Sequence, residues 1–344
     1  MDNTQAKIKV GFAFSGASSR SIFYIGFLEV LKEHDFPIDY IAALSGATIV
    51  ASSFACGSLP QLKELALGLN KEIVFGLIDR SKGKGGLYSL SRFEQLIRLY
   101  TKNRNFEDVS PKLGFIATDL TAGEEVVLQV GDIAKAITAS CTLPVVFAPM
   151  PWGNKLLVDG GVITVVPGNV ARSANVDIVI GIDLRATRHV FSKWQIMARR
   201  IINKIRSLVW PKPAQDLWQS IANKIQYSNF WQDNFALDEY DRQLKDPKLF
   251  SVINRSLDIA IEAQQSQNDP TYNCDLLISP ELSMPFWKKA LYLRFIHFGN
   301  NRDYYLAGRQ SAKEHLPEMW QLLKDKEQEK NQQEEKLQDL FIKN

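Results

Sequence analysis

The stretch Ile41-Ala42-Ala43-Leu44-Ser45-Gly46-Ala47-Thr48 sets a serine where an apolar run gives way to a helix of small residues. A nucleophile elbow needs this arrangement. The serine hydroxyl is presented on a strained strand-to-helix turn, and the positions two before and two after it stay small because strand and helix cross closely there. The usual form has glycine at both flanking positions, whereas here they are Ala43 and Ala47. A serine among small residues at a helix start is equally what an ordinary N-cap looks like. Taken alone, the segment fits both readings.

Two further segments supply what a nucleophilic serine requires. Ser15-Gly16-Ala17-Ser18-Ser19-Arg20-Ser21 reads as a loop between a strand and its helix, able to aim the backbone N–H groups of Gly16, Ala17 and Ser18 at a developing oxyanion with help from the helix dipole. It lacks the Gly-Lys-Ser/Thr of a Walker loop and the G-x-G-x-x-G of a dinucleotide site, so a plain tight turn is the main competing reading. Leu156-Leu157-Val158-Asp159-Gly160-Gly161 ends an apolar strand in an aspartate followed by two glycines. The glycines let the chain turn sharply beside a carboxylate that stays dry. Desolvation raises a carboxyl pKa and makes Asp159 a stronger base, although Asp-Gly-Gly is also a common loop sequence.

The elements that must position these segments follow a parallel-sheet pattern, with short β-branched runs alternating with helical stretches and glycine-bearing turns. Strands are expected over 10–14, 38–43, 156–158 and 176–184, helices over 21–33, 46–55 and 132–140, and a hairpin over 115–120 and 126–129. Residues 59–100 read as helix and loop. Further on, a helix is expected over 250–267, a short strand over 274–279 and a helix over 307–323. The tail 324–344, rich in Lys, Glu and Gln, reads as a solvated helix or a disordered end.

Taken in order, the small-residue loop with Arg20, the Ser45 elbow and Asp159-Gly160-Gly161 resemble the patatin-like phospholipases. The segments Phe115-Ile-Ala-Thr-Asp-Leu-Thr-Ala-Gly-Glu-Glu-Val-Val127, Ala139-Ser-Cys-Thr-Leu-Pro144 and Leu156-Leu-Val-Asp-Gly-Gly-Val162 are similar to the bacterial branch related to the neuropathy target esterase catalytic domain. The resemblance covers about residues 8–184, with a looser match over 250–316. It implies an α/β, patatin-like three-layer fold with a mostly parallel central sheet, here interrupted by a helical insert. The parts would be a catalytic core over 7–184, an insert or cap over 185–249, a segment completing the core over 250–323 and the polar tail 324–344.

The resemblance also implies a chemistry. Ser45 would attack an ester carbonyl, Asp159 would take its proton, and water would later release the acyl group from a lipid or lysophospholipid substrate. Gly16, Ala17 and Ser18 would form the oxyanion hole, with Arg20, Gly160 and Gly161 in support. No metal or other cofactor is expected. The chain departs from the family where its loop carries Ala17, Ser18 and Ser21 in place of glycines, and where Thr164 stands in place of an asparagine. A loop position that needs a positive φ then carries about 1–2 kcal/mol of strain. A misplaced oxyanion donor typically costs about 10² to 10³ in rate. A catalytically degenerate relative that binds lipid without turnover is the alternative.

Composition bounds the rest. At 344 residues, 45% hydrophobic and 23% charged, the chain can bury a full core, and a net charge of +3 does not suggest a nucleic-acid binder. Its basic side chains gather locally. Residues 190–231 mix Lys193, Arg199, Arg200, Lys204, Arg206, Lys212 and Lys224 with Trp194, Trp210, Trp218 and Trp231. That composition suits either a helix lying on an anionic membrane or a cap packed on the core. The cysteines (Cys56, Cys141 and Cys274) show no CxxC spacing and read as reduced thiols. The histidines (His34, His189, His297 and His315) lie outside the motif segments, and a conventional triad would have to use His189 or His297. With a polar start and no run of roughly 18 apolar residues, the chain is expected in the cytoplasm, with any membrane contact peripheral at the inner surface. Oligomeric state is not encoded in any motif.

Overall fold

The computed structural model describes residues 7–80, 86–184, 273–282 and 300–342, together with positions 252 and 256. The basic, tryptophan-bearing segment and most of the helix expected over 250–267 therefore lie outside the described residues.

The strands are β1 (Val10–Phe14), β2 (Tyr40–Leu44), β3 (Asp79–Arg80), β4 (Gly86–Ser89), β5 (Lys112–Asp119), β6 (Glu124–Leu128), β7 (Val145–Phe147), β8 (Met150–Trp152), β9 (Lys155–Asp159), β10 (Ile178–Ile182) and β11 (Leu276–Ile278). The helices are α1 (Ile22–Glu33), α2 (Gly46–Ala55), α3 (Leu59–Gly68), α4 (Lys71–Gly76), α5 (Ser91–Thr101), α6 (Ile133–Ser140), α7 (Gly168–Ser173) and a long helix, Asn301–Ile342.

The main sheet runs β11-β10-β1-β2-β5-β9-β8, with β6 also paired to β5. From β11 to β5 the neighbours are parallel, whereas β9, β8 and β6 are antiparallel to theirs. Parallel strands covered on both faces are apolar throughout, as in Ile178-Val-Ile-Gly-Ile182, every residue of which is buried. Along β1 the alternation sorts the two faces. Phe12 and Phe14 join the cluster that includes α1, α2 and α6, and Ala13 joins the smaller cluster with Val170 and Ala171 of α7. The result is a three-layer α/β/α fold around a mostly parallel sheet.

The long helix lies against α1. A Cβ at Gly26 would stand 2.1 Å from the Tyr305 carbonyl oxygen, and one at Gly308 would stand 1.9 Å from that of Phe23. Glycine on both helices is what permits this approach. On either side of this contact, Tyr304, Ala312, Met319 and Leu323 are buried along one stripe of the helix. The helix expected over 307–323 is thus one part of a longer one, and the polar tail continues it through Ile342.

The stretch 59–100 holds more than helix and loop. β3 and β4 form a second small sheet with β7, in which Gly86 pairs with Val145 and Tyr88 with Phe147. Strands of two to four residues are too short to carry an alternation signal, and this sheet exists through a pairing with residues far along the chain.

One feature of the main sheet sets up everything at the site. β6 occupies one edge of β5 from Phe115 to Asp119. The opposite edge is shared end to end: β2 pairs with it as far as Leu44 opposite Ile116, and β9 takes over with Asp159 opposite Ala117. Because β2 is parallel to β5 and β9 antiparallel, both deliver their C-terminal ends to the same point.

Candidate active site

Ser45 follows the last residue of β2 and has φ 53° and ψ −137°, a backbone conformation that a residue with a Cβ rarely adopts. The turn is forced by its surroundings. Ala43 and Ala47 are fully buried where strand and helix cross. The Ser45 carbonyl accepts the Thr48 N–H at 3.0 Å and the Thr48 hydroxyl at 2.6 Å. Its side chain makes no capping bond to α2 and instead donates to Asp159 Oδ2 at 2.6 Å. The N-cap reading of this serine therefore fails, and the elbow geometry is present.

Asp159 is bonded at each polar group. Its N–H donates to the Thr142 carbonyl at 2.8 Å, its carbonyl accepts from the Thr118 hydroxyl at 3.1 Å, and Oδ1 accepts the Gly161 N–H at 2.7 Å. With only 3% of its surface exposed, burial pushes its carboxyl up to about 6, against the Ser45 hydroxyl and the Gly161 N–H that favour the charged form. The Cys141 thiol lies 3.9 Å from the Thr48 hydroxyl, close enough to Asp159 to feel its charge. Burial, and then the Asp159 charge, push its pKa up, which keeps it a thiol.

The loop Gly16 to Ser18 passes directly over the elbow. A Cβ on Gly16 would sit 2.6 Å from Leu44 Cδ1 and 3.3 Å from Ser45 Cβ, and one on Gly46 would sit 3.0 Å from the Ser18 carbonyl. The loop is anchored behind by Ser15, whose N–H donates to the Ile182 carbonyl at 3.0 Å and whose hydroxyl accepts the Leu184 N–H at 2.9 Å. Among the described residues, the Gly16 and Ala17 N–H groups have no protein acceptor. The residue of this loop that takes a positive φ is Ser18, at 49°, whereas Ala17 stays at −145°. Strain in the altered loop is thus confined to one position. Arg20 lies in the short 3-10 turn Ser18–Ser21, close enough to the buried Tyr24 hydroxyl to act on it electrostatically, together with Asp183.

Of the two glycines after Asp159, the first is required where it stands and the second packs tightly. A Cβ on Gly160 would meet the Ile116 carbonyl oxygen at 2.4 Å, and one on Gly161 would crowd Asp159 Oδ1 at 3.0 Å. Thr164, in the place of the family's asparagine, donates its hydroxyl to Glu125 and its N–H to the Gly160 carbonyl.

Sequence reasoning missed Thr118, Thr142 and Ser140. The Ser140 hydroxyl is fully buried and accepts the Ser45 N–H at 2.9 Å while donating to the Ile116 carbonyl at 2.6 Å. The available signal was a serine at the last position of the helix Ile133–Ser140, just before Pro144. Because the Ser45 N–H is engaged in this way, an oxyanion at Ser45 would have to draw on other donors, and the loop over the elbow is the nearest set. His34 ends α1, and His315 Nδ1 is bonded to the Ser311 carbonyl on the long helix; His189 and His297 lie outside the described residues. No group of three or more His, Cys, Asp or Glu side chains among the described residues could hold a metal ion.

The match to known proteins falls on this part of the chain. Residues 12–172, from β1 through the elbow and Asp159 to α7, match the family model described as patatin-like phospholipase. The chain carries a patatin-like phospholipase domain. An NTE family protein of Mycobacterium tuberculosis, itself named as uncharacterized, is 26% identical over 298 residues, covering 78% of this chain and 83% of that protein. A second NTE family protein of the same organism is 25% identical over 183 residues, or 52% of this chain and 30% of that protein. Patatin-like phospholipase domain-containing protein 6 of Mus musculus is 26% identical over 182 residues, which are 51% of this chain and 13% of the mouse protein. The crystal structure of VipD from Legionella pneumophila aligns with a TM-score of 0.48 and 14% identity, over 90% of this chain and 67% of that one. In this patatin-like domain the second and third motifs of the sequence meet at hydrogen-bonding distance, and the loop of the first packs over the elbow.

Proposed function

We propose that this protein is a serine hydrolase of acyl lipid esters that works with Ser45 as nucleophile and Asp159 as base. The observation that carries the reading is the 2.6 Å bond from the Ser45 hydroxyl to a buried carboxylate, made at a strained elbow. As the Ser45 oxygen attacks the ester carbonyl carbon, its proton passes to Asp159 Oδ2. The carbonyl oxygen takes up negative charge beneath the Gly16 and Ala17 N–H groups and Ser18, near the N-terminal end of α2. Collapse of the intermediate breaks the ester bond, and the alcohol departs with the proton held by Asp159. Water then adds to the acyl-enzyme, giving its proton to Asp159, and the second collapse returns that proton to Ser45 and frees the fatty acid. A phospholipid or lysophospholipid is the substrate class that the family suggests.

A second reading, a degenerate lipid-binding relative, is favoured by Ser18, which holds a left-handed φ where glycine would be unstrained. Hydrolysis of a short p-nitrophenyl ester and of a lysophospholipid by wild type, Ser45→Ala and Asp159→Asn separates the two, with fluorophosphonate labelling as the probe for an activated serine. The hydrolase reading expects turnover and labelling in the wild type and loss of both in each folded variant. An inert, unlabelled wild type supports the binding protein instead.

Contact with a membrane surface through 190–231 belongs to the same proposal. Those residues lie outside the described ones, and among the described residues no helix is long and apolar enough to cross a membrane.

A further inference from the structure

We infer that Ser140 is a positioning residue for the nucleophile: its hydroxyl joins the Ser45 N–H to the Ile116 carbonyl and so fixes the backbone that aims Ser45 at Asp159. The inference rests on the hydrolase reading and adds a residue that touches neither substrate nor the reacting atoms.

Ile116 is the β5 partner of Leu44, the last residue of β2. The next N–H along the chain, that of Ser45, reaches β5 only through Ser140, at 2.9 Å to the hydroxyl and 2.6 Å from there to the Ile116 carbonyl. A disfavoured backbone persists only where its surroundings over-determine it. Two holds act on Ser45. Thr48 grips its carbonyl from within α2 and travels with the helix, whereas Ser140 grips its N–H from α6. Of these two backbone holds, the second ties the elbow to the sheet, which the Ser45 side chain reaches separately through Asp159 of β9.

The end of α6 is suited to this task. It packs on both β5 and β9, and two residues beyond Ser140 the Thr142 carbonyl accepts the Asp159 N–H at 2.8 Å. One short stretch of chain therefore holds the backbone of both partners, and the Ser45–Asp159 distance is set against a common support. The hydroxyl must donate and accept at once, which serine and threonine do well, a thiol does weakly and alanine not at all.

The test uses the full chain as wild type, Ser140→Ala, Ser140→Cys and Ser140→Thr, with Ser45→Ala as the inactive reference. Turnover of a short p-nitrophenyl ester, the rate of fluorophosphonate labelling and amide hydrogen exchange at Ser45 are measured. In Ser140→Ala and Ser140→Cys, kcat and the labelling rate should fall about 10- to 100-fold with KM within about twofold, as expected for a displaced nucleophile. Ser140→Thr should recover most of both rates. Exchange at Ser45 should quicken in the alanine variant, and the pH midpoint of kcat/KM should move upward, because a displaced Ser45 hydroxyl no longer favours the charged form of Asp159. Should the alanine variant fail to fold, Ser140→Cys carries the comparison, since it fills the same space. An active wild type with an equally active Ser140→Ala sinks this inference alone, as does an equal loss in the threonine variant. A wild type that neither labels nor turns over removes the hydrolase reading and this inference together.

Discussion

Ser45 and Asp159 meet tip to tip because their strands run toward one another along a single edge of β5, ending opposite its adjacent residues Ile116 and Ala117. Adjacent residues of one strand lie about 3.3 Å apart along it. The strands thus carry the two side chains to hydrogen-bonding distance before any loop contributes. Pre-set geometry of this kind removes orientational cost from the reaction.

The pH dependence follows from the dry setting of Asp159. In the proposed mechanism Asp159 must be ionised to accept the serine proton, and its carboxyl is raised to about 6. Below that point the ionised fraction falls about tenfold per pH unit. A plot of kcat/KM against pH should therefore rise with pH to a half-maximum near 6 and level off above it. A midpoint at the ordinary carboxylate value near 4 would show that Asp159 is not the limiting base.

The same raised carboxyl makes the site a cost to stability. A folded-state value of about 6 against 3.8 for the free side chain means that the folded protein holds the proton more tightly. The resulting stabilisation is fully present below pH about 4 and is lost as pH rises through about 6, a change of about 3 kcal/mol. Asp159→Asn carries no charge to desolvate and can keep both side-chain bonds. It should melt a few degrees above wild type at pH 8, with the gain vanishing toward pH 4. Calorimetry at the two pH values reads this directly, and a variant that melts lower at pH 8 would count against a desolvated carboxylate.

Gly160 offers a steric test. Its missing side chain leaves room for the Ile116 carbonyl, to which Ser140 donates. Gly160→Ala should lose about 1–3 kcal/mol of stability by overpacking against backbone, and esterase activity should drop more steeply than stability because the displaced carbonyl holds the Ser45 backbone through Ser140. Parallel denaturation and activity measurements check it; full activity in a folded alanine variant would mean that this contact does not matter to the site.

Ser18→Gly is expected to act in the opposite direction. Relief of the left-handed strain, worth about 1–2 kcal/mol, outweighs the added entropy of an unfolded glycine by about 0.5–1 kcal/mol. Thermal melts should show a small rise with activity at least equal to wild type. A fall in both would mean that the serine side chain itself contributes at the loop.

How much of this is legible in the sequence varies from element to element. β1, β2 and β10 declare themselves because burial on both faces leaves apolar runs between glycine-bearing turns. The serine, the aspartate and their glycines stand out for the same local reasons. Whether Ser45 caps a helix or forms an elbow is not local at all, since either role uses a serine at a helix start; the partner that decides it, Asp159, arrives from 114 residues away. β8 escapes notice because Met150-Pro151-Trp152 has no strand pattern and survives as an edge strand, where proline is tolerated. Ser140 lies in one of the resembling segments, Ala139-Ser-Cys-Thr-Leu-Pro144, but its task is hidden for a related reason. Its role comes from how α6 lies on β5, which no spacing along the chain encodes. That some loop position would need a positive φ is readable; that the position is Ser18 is not.

The sharing of one β5 edge by β2 and β9 also has a bearing on how activity is gained during folding. A chain that has assembled β1, α1 and β2 owns a serine but no base, and docking β5 alone supplies only the platform. The carboxylate comes into place once the later segment through β9 has turned back and paired antiparallel with Ala117, Thr118 and Asp119. Such long-range closures are the slow steps of sheet assembly. Recovery of the proposed esterase activity from denaturant would therefore report the docking of β9 on β5, while helix signals report the earlier local events.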